Sequence, residues 1–399
     1  MASQQSRTSF SRRSFLQLSA AASAALALRV VTEPQLAYAA LPNVAQNSAV
    51  MINANENPLG PCAAALEALG PIMAQGGRYR FDLARDLTKL YAQSVGVPEG
   101  YVSLFPGSSN PLHYTVMQYC SPTASFVTAD PSYEAGTHAA EGAGARVVKV
   151  PLTKTYAHDV RAMLAAAPDA GVFYICTPNN PTGTLTSHSD VEYLLANKPK
   201  KSVVLVDEAY IHFSDAPTTI DLAKAGKDIV VLRTFSKLYG MAGLRCGFAI
   251  ARPDMIEKLE TYGGPNPMPV AGVVAASASL QDAQLVADRK RINAEVRNQV
   301  FQWLDSNGYS YIPSVSNCFL LNTGRPAKQA IAAMAQQNVM IGRVWPSMPT
   351  YSRITVGTRE EMERFQVAFQ KVMSGAVTGR LDGNKVWPAH QLDRYGVGA

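Results

Sequence analysis

Short apolar runs that alternate with stretches of helical spacing constrain this chain more than any other feature. The apolar runs lie at 102–105, 124–129, 145–150, 171–176, 202–206, 229–233 and 246–250. Runs of this length are typical of buried strands, and the segments between them leave room for crossover helices. The alternation therefore predicts an α/β fold, with a mostly parallel sheet that carries helices on both faces.

The segments on either side of this region have a different hydrophobic pattern. Residues 62–75 and 83–95 have helical spacing and precede the apolar runs, and residues 271–306 have helical spacing and follow them. Shorter strand and helix patterns then follow up to residue 357, which indicates a smaller α+β domain. The domains that we predict are an N-terminal arm at 40–75, a large domain at 76–275, a small C-terminal domain at 276–378 and a tail at 379–399.

The segment 1–39 carries the pattern of an export signal. The pair Arg12 and Arg13 precedes an Ala/Leu-rich stretch that ends at Leu28, and Ala37-Tyr38-Ala39 is a small-residue cleavage site. This order is that of a twin-arginine signal peptide at 1–39. We expect the chain to be exported by the twin-arginine route and to be periplasmic after cleavage near Ala39. A fortuitous basic tail or an amphipathic helix is the alternative interpretation.

Composition and charge narrow the function classes. Of 399 residues, 47% are hydrophobic and 17% charged, which is typical of a globular protein with a sizeable core. The formal net charge is +6, and four arginines against one glutamate put +3 of it in the segment 1–39. The charge of the remaining residues gives little support to nucleic-acid binding.

The five cysteines lack metal-ligand spacing, so we expect buried thiols and no metal site. We expect no membrane span in the mature form, because no later stretch approaches ~20 apolar residues.

Reactive polar residues follow three consecutive apolar runs. Asn180 lies in the turn after the first, Asp207 and Tyr210 follow the second, and Lys237 follows the third. Parallel strands bring their carboxyl ends to one edge of a sheet, so we expect these side chains to share a site. A buried lysine has a lowered pKa and can form a Schiff base with an aldehyde cofactor. Asp207 would then face a protonated ring nitrogen, and this pattern indicates pyridoxal 5'-phosphate (PLP).

The phosphate group of such a cofactor needs its own hydrogen-bond donors. Six residues near predicted strand ends offer them: Gly107, Ser108, Ser109, Thr234, Ser236 and Arg245. The first three lie where a helix begins, and helix N-termini bind anions. Arg245 would add bidentate geometry. Asn180 and Tyr210 would hydrogen-bond the phenolic oxygen of the cofactor, and Tyr133 would stack on its ring.

These residues lie in motifs that resemble those of fold-type I PLP-dependent aminotransferases (class I/II), and most of all those of histidinol-phosphate aminotransferases. The matching motifs are NENP at 55–58, RY at 78–79, TPNNPTG at 177–183, DEAY at 207–210, RTFSK at 233–237, LRCGF at 244–248 and RITVGT at 353–358. The resemblance covers roughly 50–370. It implies a three-layer large domain with a mostly parallel sheet and a smaller α+β C-terminal domain, as in aspartate aminotransferase.

The resemblance also implies roles for individual residues. Lys237 would be the Schiff-base lysine, with Asp207 as the partner of the pyridinium nitrogen. Tyr79 would reach the phosphate of the cofactor in the partner subunit, which implies an obligate homodimer. Arg353 would hold the carboxylate of the substrate, or the phosphate of histidinol phosphate, and Arg343 would assist.

The residues that surround the substrate depart from the family pattern. The loop GSSN at 107–110 lacks the acidic residue that the family usually has, and RYRF at 78–81 lacks the proline that commonly follows the tyrosine. The arm has Asn57 and Leu59 where many relatives have a substrate-contacting tyrosine, and we expect Asn57 and Asn180 beside the substrate. The cofactor residues match, so the reaction class is better defined than the substrate.

We therefore expect an exported aminotransferase that moves an amino group between an amino acid and a 2-oxo acid such as 2-oxoglutarate. A histidinol-phosphate aminotransferase proper is the first alternative. A second keeps the PLP site but changes the reaction to decarboxylation, racemisation or β-elimination. A third is a PLP-dependent sensor, although no helix-turn-helix segment precedes Met51.

Overall fold

A computed structural model describes residues 30–38, 49–263 and 267–375 of the chain. Its strands are β1 Val50–Ile52, β2 Val102–Phe105, β3 Ser125–Asp130, β4 Val147–Pro151, β5 Ala170–Cys176, β6 Val203–Asp207, β7 Ile229–Thr234, β8 Gly247–Ile250, β9 Tyr311–Ile312, β10 Cys318–Asn322, β11 Val339–Ile341 and β12 Tyr351–Thr355. All seven apolar runs that the sequence predicts as strands are strands, each within two residues at either end.

Its α-helices are α1 Glu33–Tyr38, α2 Ala63–Met73, α3 Phe81–Val95, α4 Ser109–Tyr119, α5 Ala135–Gly142, α6 Val160–Ala166, α7 His188–Asn197, α8 Ile220–Lys224, α9 Pro253–Gly263, α10 Val270–Gln281, α11 Leu285–Ser306, α12 Ala327–Gln336 and α13 Arg359–Met373. The continuous helical pattern at 271–306 is two helices, because the chain breaks at 282–284 and turns by 89° between α10 and α11. Among the described residues no single helix has the length and composition to cross a membrane, and only α10 and α11 together, as this bent pair, meet that test.

A seven-stranded sheet in the order β2-β8-β7-β6-β5-β3-β4 forms the centre of the large domain. Strand β8 pairs antiparallel with both β7 and β2, and the other strands run parallel to one another. The expectation of a mostly parallel sheet is therefore confirmed. Parallel strands place their carboxyl ends at one edge, and this edge holds the site described below.

Helices cover both faces of this sheet, because alternate residues of its buried strands point to opposite sides. Val204 and Val206 of β6 pack into the hydrophobic cluster that includes α2, α3, α6, α7 and α10. Val203 and Leu205 of the same strand pack into a second cluster, with α4, α5 and α9. The result is a helix–sheet–helix sandwich of three layers. All five cysteines are free and buried, as the sequence predicts.

The C-terminal part of the chain forms two small sheets that share a separate hydrophobic cluster. Strands β9, β10 and β12 form an antiparallel sheet, whereas β11 pairs in parallel with β1. Helices α11 and α13 pack on this cluster, and α13 begins with a capping box between Thr358 and Glu361. Because β1 comes from the predicted arm, the arm connects the two ends of the chain beside the site.

Candidate active site

The carboxyl ends of the parallel strands surround one cavity, and most of the residues predicted for the site line it. The predicted residues among them are Ser108, Ser109, Tyr133, Asn180, Asp207, Tyr210, Thr234, Ser236, Lys237 and Arg245. They arrive from the ends of β2, β3, β5, β6 and β7, so the strand order brings together residues that lie far apart in the chain. The structure therefore brings these predicted residues together at one cavity, as expected for a shared site.

Lys237 lies three residues beyond β7 and is only 7% exposed. Burial lowers the pKa of its amine, although the nearby Glu33 carboxylate opposes this effect. Nζ donates a long hydrogen bond of 3.5 Å to the Ala54 carbonyl oxygen and lies 5.6 Å from the centre of the Tyr210 ring. The amine forms no ion pair within the described part of the chain. The amine is therefore buried and has one long hydrogen bond, which suits a reactive amine.

Asp207 ends β6 and is 3% exposed. Burial raises the pKa of its carboxyl to about 6, while hydrogen bonds from the Ala209 N–H and the Tyr174 hydroxyl, each 3.1 Å long, act in the opposite direction. Tyr174 is fully buried on the neighbouring strand β5. The two donors fix the orientation of a carboxylate that has no ion-pair partner among residues 30–38, 49–263 and 267–375.

Thr234, Ser236 and Arg245 form a hydrogen-bonded group in the cavity lining. The Thr234 hydroxyl donates to Ser236 Oγ at 2.9 Å, and Arg245 Nη1 donates to the same oxygen at 3.3 Å. Arg245 Nη2 also donates to the Pro106 carbonyl oxygen at 3.0 Å, beside the turn that begins α4. Gly107 in this turn has a φ of +87°, and a Cβ there would collide with the Arg245 guanidinium. Glycine thus lets the arginine lie against the loop.

Two side-chain amides, those of Asn55 and Asn180, contact predicted site residues. Asn55 Nδ2 donates to the Tyr210 hydroxyl at 2.9 Å and to Cys318 Sγ at 3.2 Å. Asn180 Oδ1 accepts a hydrogen bond of 2.8 Å from Arg353 Nη1, and its Nδ2 donates to Glu33 Oε2 at 3.3 Å. The amide orientation therefore makes the Asn180 nitrogen a donor toward a carboxylate.

Arg353 and Arg343 approach the same region from the small domain. Arg353 is fully buried, and its Nη2 lies 2.6 Å from Glu33 Oε1 and 2.6 Å from the Asn53 carbonyl oxygen. Arg343 is 8% exposed, and its Nη2 lies 3.5 Å from Glu33 Oε2 and 3.0 Å from Glu134 Oε2. Both guanidinium groups thus lie beside one carboxylate, that of Glu33.

Five predicted residues lie outside the cavity lining of this chain: Gly107, Arg343 and Arg353, whose contacts are given above, and also Asn57 and Tyr79. Asn57 donates to the Leu238 carbonyl oxygen at 2.7 Å, and the neighbouring Glu56 lines the cavity instead. Tyr79 is 70% exposed and contacts Phe81 at a ring-centre distance of 5.9 Å. Its role toward a partner subunit stays a prediction.

Among the site residues that sequence reasoning missed, three make polar contacts with predicted ones: Asn55, Tyr174 and Glu33. Asn55 is the first residue of the NENP motif at 55–58, so the motif could have indicated it as a site residue. Tyr174 is an inward-facing strand residue, and only the pairing of Cys176 with Asp207 across β5 and β6 shows that it lies near the Asp207 carboxylate. Glu33 belongs to the predicted signal peptide, and no local pattern relates it to the distant arginines of the small domain.

Comparisons with known proteins agree with this geometry. A family model described as "Aminotransferase class I and II" matches residues 49–369. The chain belongs to the class I and II aminotransferases. This aminotransferase is 34% identical over 327 residues to a histidinol-phosphate aminotransferase of Symbiobacterium thermophilum, a match that covers 81% of the chain and 90% of the relative. It is 33% identical over 333 residues to an aromatic amino acid aminotransferase of Cutibacterium acnes, covering 82% and 94%.

The fold of the aminotransferase also matches solved structures. The histidinol-phosphate aminotransferase of Sinorhizobium meliloti, solved in complex with PLP, superposes with a TM-score of 0.75 at 24% identity, covering 84% of this chain and 96% of that one. The large domain and the small C-terminal domain are thus those of the PLP-transferase fold. The chain is a PLP-dependent aminotransferase.

The residues of the aminotransferase fit the aldehyde, the ring nitrogen and the phosphate of PLP. Lys237 supplies a buried amine for the aldehyde, and Asp207 a buried carboxylate for the ring nitrogen. Ser108, Ser109 and the Arg245 group would hold the phosphate where α4 begins. Tyr133 is 9% exposed and lines the cavity, in a position to cover the ring.

Proposed function

We propose that this aminotransferase moves an amino group from an α-amino acid to a 2-oxo acid such as 2-oxoglutarate, and that Arg353 binds the substrate carboxylate. The observation that carries the proposal is the contact of 2.6 Å between the fully buried Arg353 guanidinium and a carboxylate oxygen. A buried guanidinium is costly without an anionic partner and is well shaped for a carboxylate. α-Amino acids and 2-oxo acids both carry this group.

The surrounding residues support transamination in particular. Bound PLP supplies an electron sink for the electrons of the substrate Cα–H bond. The Asp207 carboxylate would keep the ring nitrogen protonated by its opposite charge, which strengthens that sink. The Lys237 amine, once freed by the substrate amine, would move the proton from Cα, and its lowered pKa makes it a better base near neutral pH.

Histidinol phosphate is the second candidate donor, because the Symbiobacterium relative carries that name and Arg343 and Arg353 together could hold a phosphate. One observation, together with the proposed export, favours an amino acid instead. The Glu134 carboxylate already lies 3.0 Å from Arg343, which partly neutralises it toward a dianion. Export would also separate the enzyme from a phosphorylated cytosolic intermediate.

The test is a panel of amino donors with 2-oxoglutarate as acceptor, which includes aromatic and acidic amino acids and histidinol phosphate. We expect turnover of amino acids, and a loss of kcat/KM of roughly 10²-fold in Arg353→Lys, because lysine keeps the charge but lacks the bidentate geometry. The exposed Arg359→Lys serves as the matched control. Activity confined to histidinol phosphate would overturn the choice of substrate.

A homodimer with shared active sites is part of the proposal. Five large apolar side chains between residues 59 and 81 are strongly exposed: Leu59 44%, Leu66 55%, Met73 64%, Tyr79 70% and Phe81 53%. Large apolar side chains that are exposed within one short stretch of chain support a protein–protein interface there. Light scattering on the purified enzyme would give twice the chain mass; a monomer at micromolar concentration would contradict it.

Export by the twin-arginine route, with a periplasmic mature enzyme, is likewise a proposal. It is supported by the sequence order of Arg12-Arg13, the apolar stretch and Ala37-Tyr38-Ala39. The route carries folded proteins, so PLP could be loaded before export. Fractionation of cells that produce the Arg12→Lys/Arg13→Lys variant should find the enzyme retained in the cytoplasm at full precursor mass. Unchanged distribution would refute the route.

A further inference from the structure

Residues 30–38, which belong to the predicted signal peptide, lie in the substrate side of the active site. Thr32, Glu33 and Pro34 line the same cavity as Lys237 and Asp207. Glu33 is 8% exposed, and its two carboxylate oxygens contact different donors. Oε1 accepts from Arg353, whereas Oε2 accepts a hydrogen bond of 3.3 Å from Asn180 Nδ2.

These are the contacts that the proposed function gives to a substrate carboxylate. Arg353 supplies the guanidinium, and Asn180 supplies the amide donor beside the cofactor position. Burial raises the pKa of Glu33, but the charges of Arg343, Arg353 and Lys237 outweigh burial and hold it at about 2. The side chain is therefore an anion at every pH at which such an enzyme works, as a substrate carboxylate is.

The rest of the segment is anchored by apolar contacts. Leu36 is 8% exposed and belongs to the hydrophobic cluster that includes α4 and α5, and the neighbouring Ala37 is 2% exposed. Val31 packs against the same cluster. The Thr32 N–H donates to Gln35 Oε1 at 2.8 Å, which closes the first turn of α1. Glu33 therefore lies in a hydrogen-bonded helical turn that packs on the large domain through apolar side chains.

We propose that residues 30–38 are an internal ligand of the substrate site, an acidic peptide whose Glu33 carboxylate occupies the substrate-carboxylate position and competes with substrate while it stays attached. The proposal rests on the proposed function, because it assumes that Arg353 reads the substrate carboxylate. A tethered ligand acts at a high effective concentration. The apparent affinity for substrate is reduced by the fraction of molecules in which the segment is docked.

The consequence concerns the order of events. Removal of the segment 1–39, the processing that the sequence predicts, would take Glu33 away with the leader and leave Arg353 without the carboxylate that it contacts here. The precursor would then bind substrates weakly in the compartment where it folds and loads its cofactor, and strongly after processing.

The first experiment measures binding of succinate, a dicarboxylate that has no amino or oxo group and cannot react. The protein is the PLP-loaded full chain with Arg12→Lys/Arg13→Lys, checked by mass spectrometry to retain its leader. Calorimetry should show roughly tenfold or greater tightening of succinate binding in Glu33→Gln, because the competing charge is lost. Glu257→Gln, an exposed glutamate on α9, should leave the affinity unchanged. Equal affinities in all three proteins would overturn the proposal.

Hydrogen exchange on the same proteins gives an independent readout. Backbone amides of residues 30–38 should be protected in the full chain and should lose protection when succinate is added or Glu33 is replaced. Fast exchange without succinate, or protection that succinate leaves unchanged, would refute the internal ligand.

A failure of the proposed function would look different. In the Glu33→Gln background, Arg353→Lys should weaken succinate binding; if it does not, Arg353 is not the carboxylate reader, whatever the exchange data say of the segment. If Arg353→Lys weakens succinate binding while Glu33→Gln has no effect, the proposed function stands and the internal ligand falls.

Discussion

At the scale of single residues, Lys237 is the amine on which the chemistry depends. It is buried and weakly hydrogen-bonded, whereas Lys227, just before β7, is exposed. We expect Lys237→Ala to lose roughly 10³-fold or more in rate, because both cofactor attachment and proton transfer are lost. Borohydride reduction followed by mass spectrometry should find the cofactor bonded to the native chain and to Lys227→Ala, and absent from Lys237→Ala. Native turnover in Lys237→Ala would contradict the assignment.

Asp207 gives a prediction about pH. Burial raises its pKa from 3.8 to about 6 in the cofactor-free protein, so the folded state holds this proton more tightly than the unfolded state does. The resulting stabilisation is fully present below pH 3.8 and is lost as the pH rises through about 6. Relative to Asp207→Asn, the cofactor-free native protein should lose up to about 3 kcal/mol of unfolding free energy over this window.

Urea denaturation of both cofactor-free proteins between pH 4 and 7 measures this difference. The comparison with the asparagine variant removes the contributions of all other titrating groups, which the two proteins share. A difference that does not change with pH would show that Asp207 titrates as an ordinary surface carboxylate.

The sequence could indicate that several predicted residues share one cavity, because a residue at the end of a strand or shortly after it has its position set by local order. Asp207, Lys237 and Asn180 are examples, and all three line the cavity. Tyr174 and Glu33 were missed because their contacts depend on strand pairing and on the return of the N-terminal segment across the molecule. Such long-range contacts leave no periodic signal in the neighbouring sequence.

At the scale of elements, a buried ion pair joins the ends of β6 and β7. Glu208 is fully buried and accepts a hydrogen bond of 2.8 Å from Arg233 Nε and one of 2.6 Å from the Thr219 N–H. Arg233→Ala would leave this carboxylate buried without its cation, which typically costs about 3–5 kcal/mol. Arg291→Ala, in an exposed pair on α11, should cost under about 1 kcal/mol.

Chemical denaturation of both variants in the PLP-loaded form checks this prediction. Since Arg233 lies four residues before Lys237, its loss should also loosen the strand end that carries the reactive amine. A change in Arg233→Ala no larger than that in Arg291→Ala would mean that the pair contributes nothing to the strand ends.

Hydrophobic periodicity was enough to locate the strands and helices. It did not give the direction of a strand or the position of a break between two consecutive helices. Each strand of the large sheet was found, but the antiparallel course of β8 was not, because an apolar run of four residues carries no direction. The break between α10 and α11 was missed since both helices keep apolar spacing, and Asp282 at the end of α10 has no breaker such as proline beside it.

At the scale of the whole molecule, the arm is the feature that sequence alone described least. Its strand β1 pairs with β11, near the other end of the chain, with Val50 opposite Val339. Non-local pairing of this kind depends on which surfaces remain uncovered after the two domains fold. The same arm continues into the exposed apolar surface around Leu66 and Met73, which the proposed dimer would cover.

The dimer proposal predicts complementation between two inactive chains. Tyr79 is 70% exposed and lies outside its own cavity lining, so Tyr79→Ala should impair the site of the partner, whereas Lys237→Ala impairs its own. A hybrid of the two has one site with both defects and one with neither. Co-expression with two affinity tags and purification through both should give hybrids with about half of the native activity per dimer. Hybrids as inactive as their parents would show that Tyr79 acts within its own chain, whereas an active Tyr79→Ala parent would show that Tyr79 does not act at either site. Tyr79→Phe in the same scheme would separate the need for the hydroxyl from that for the ring.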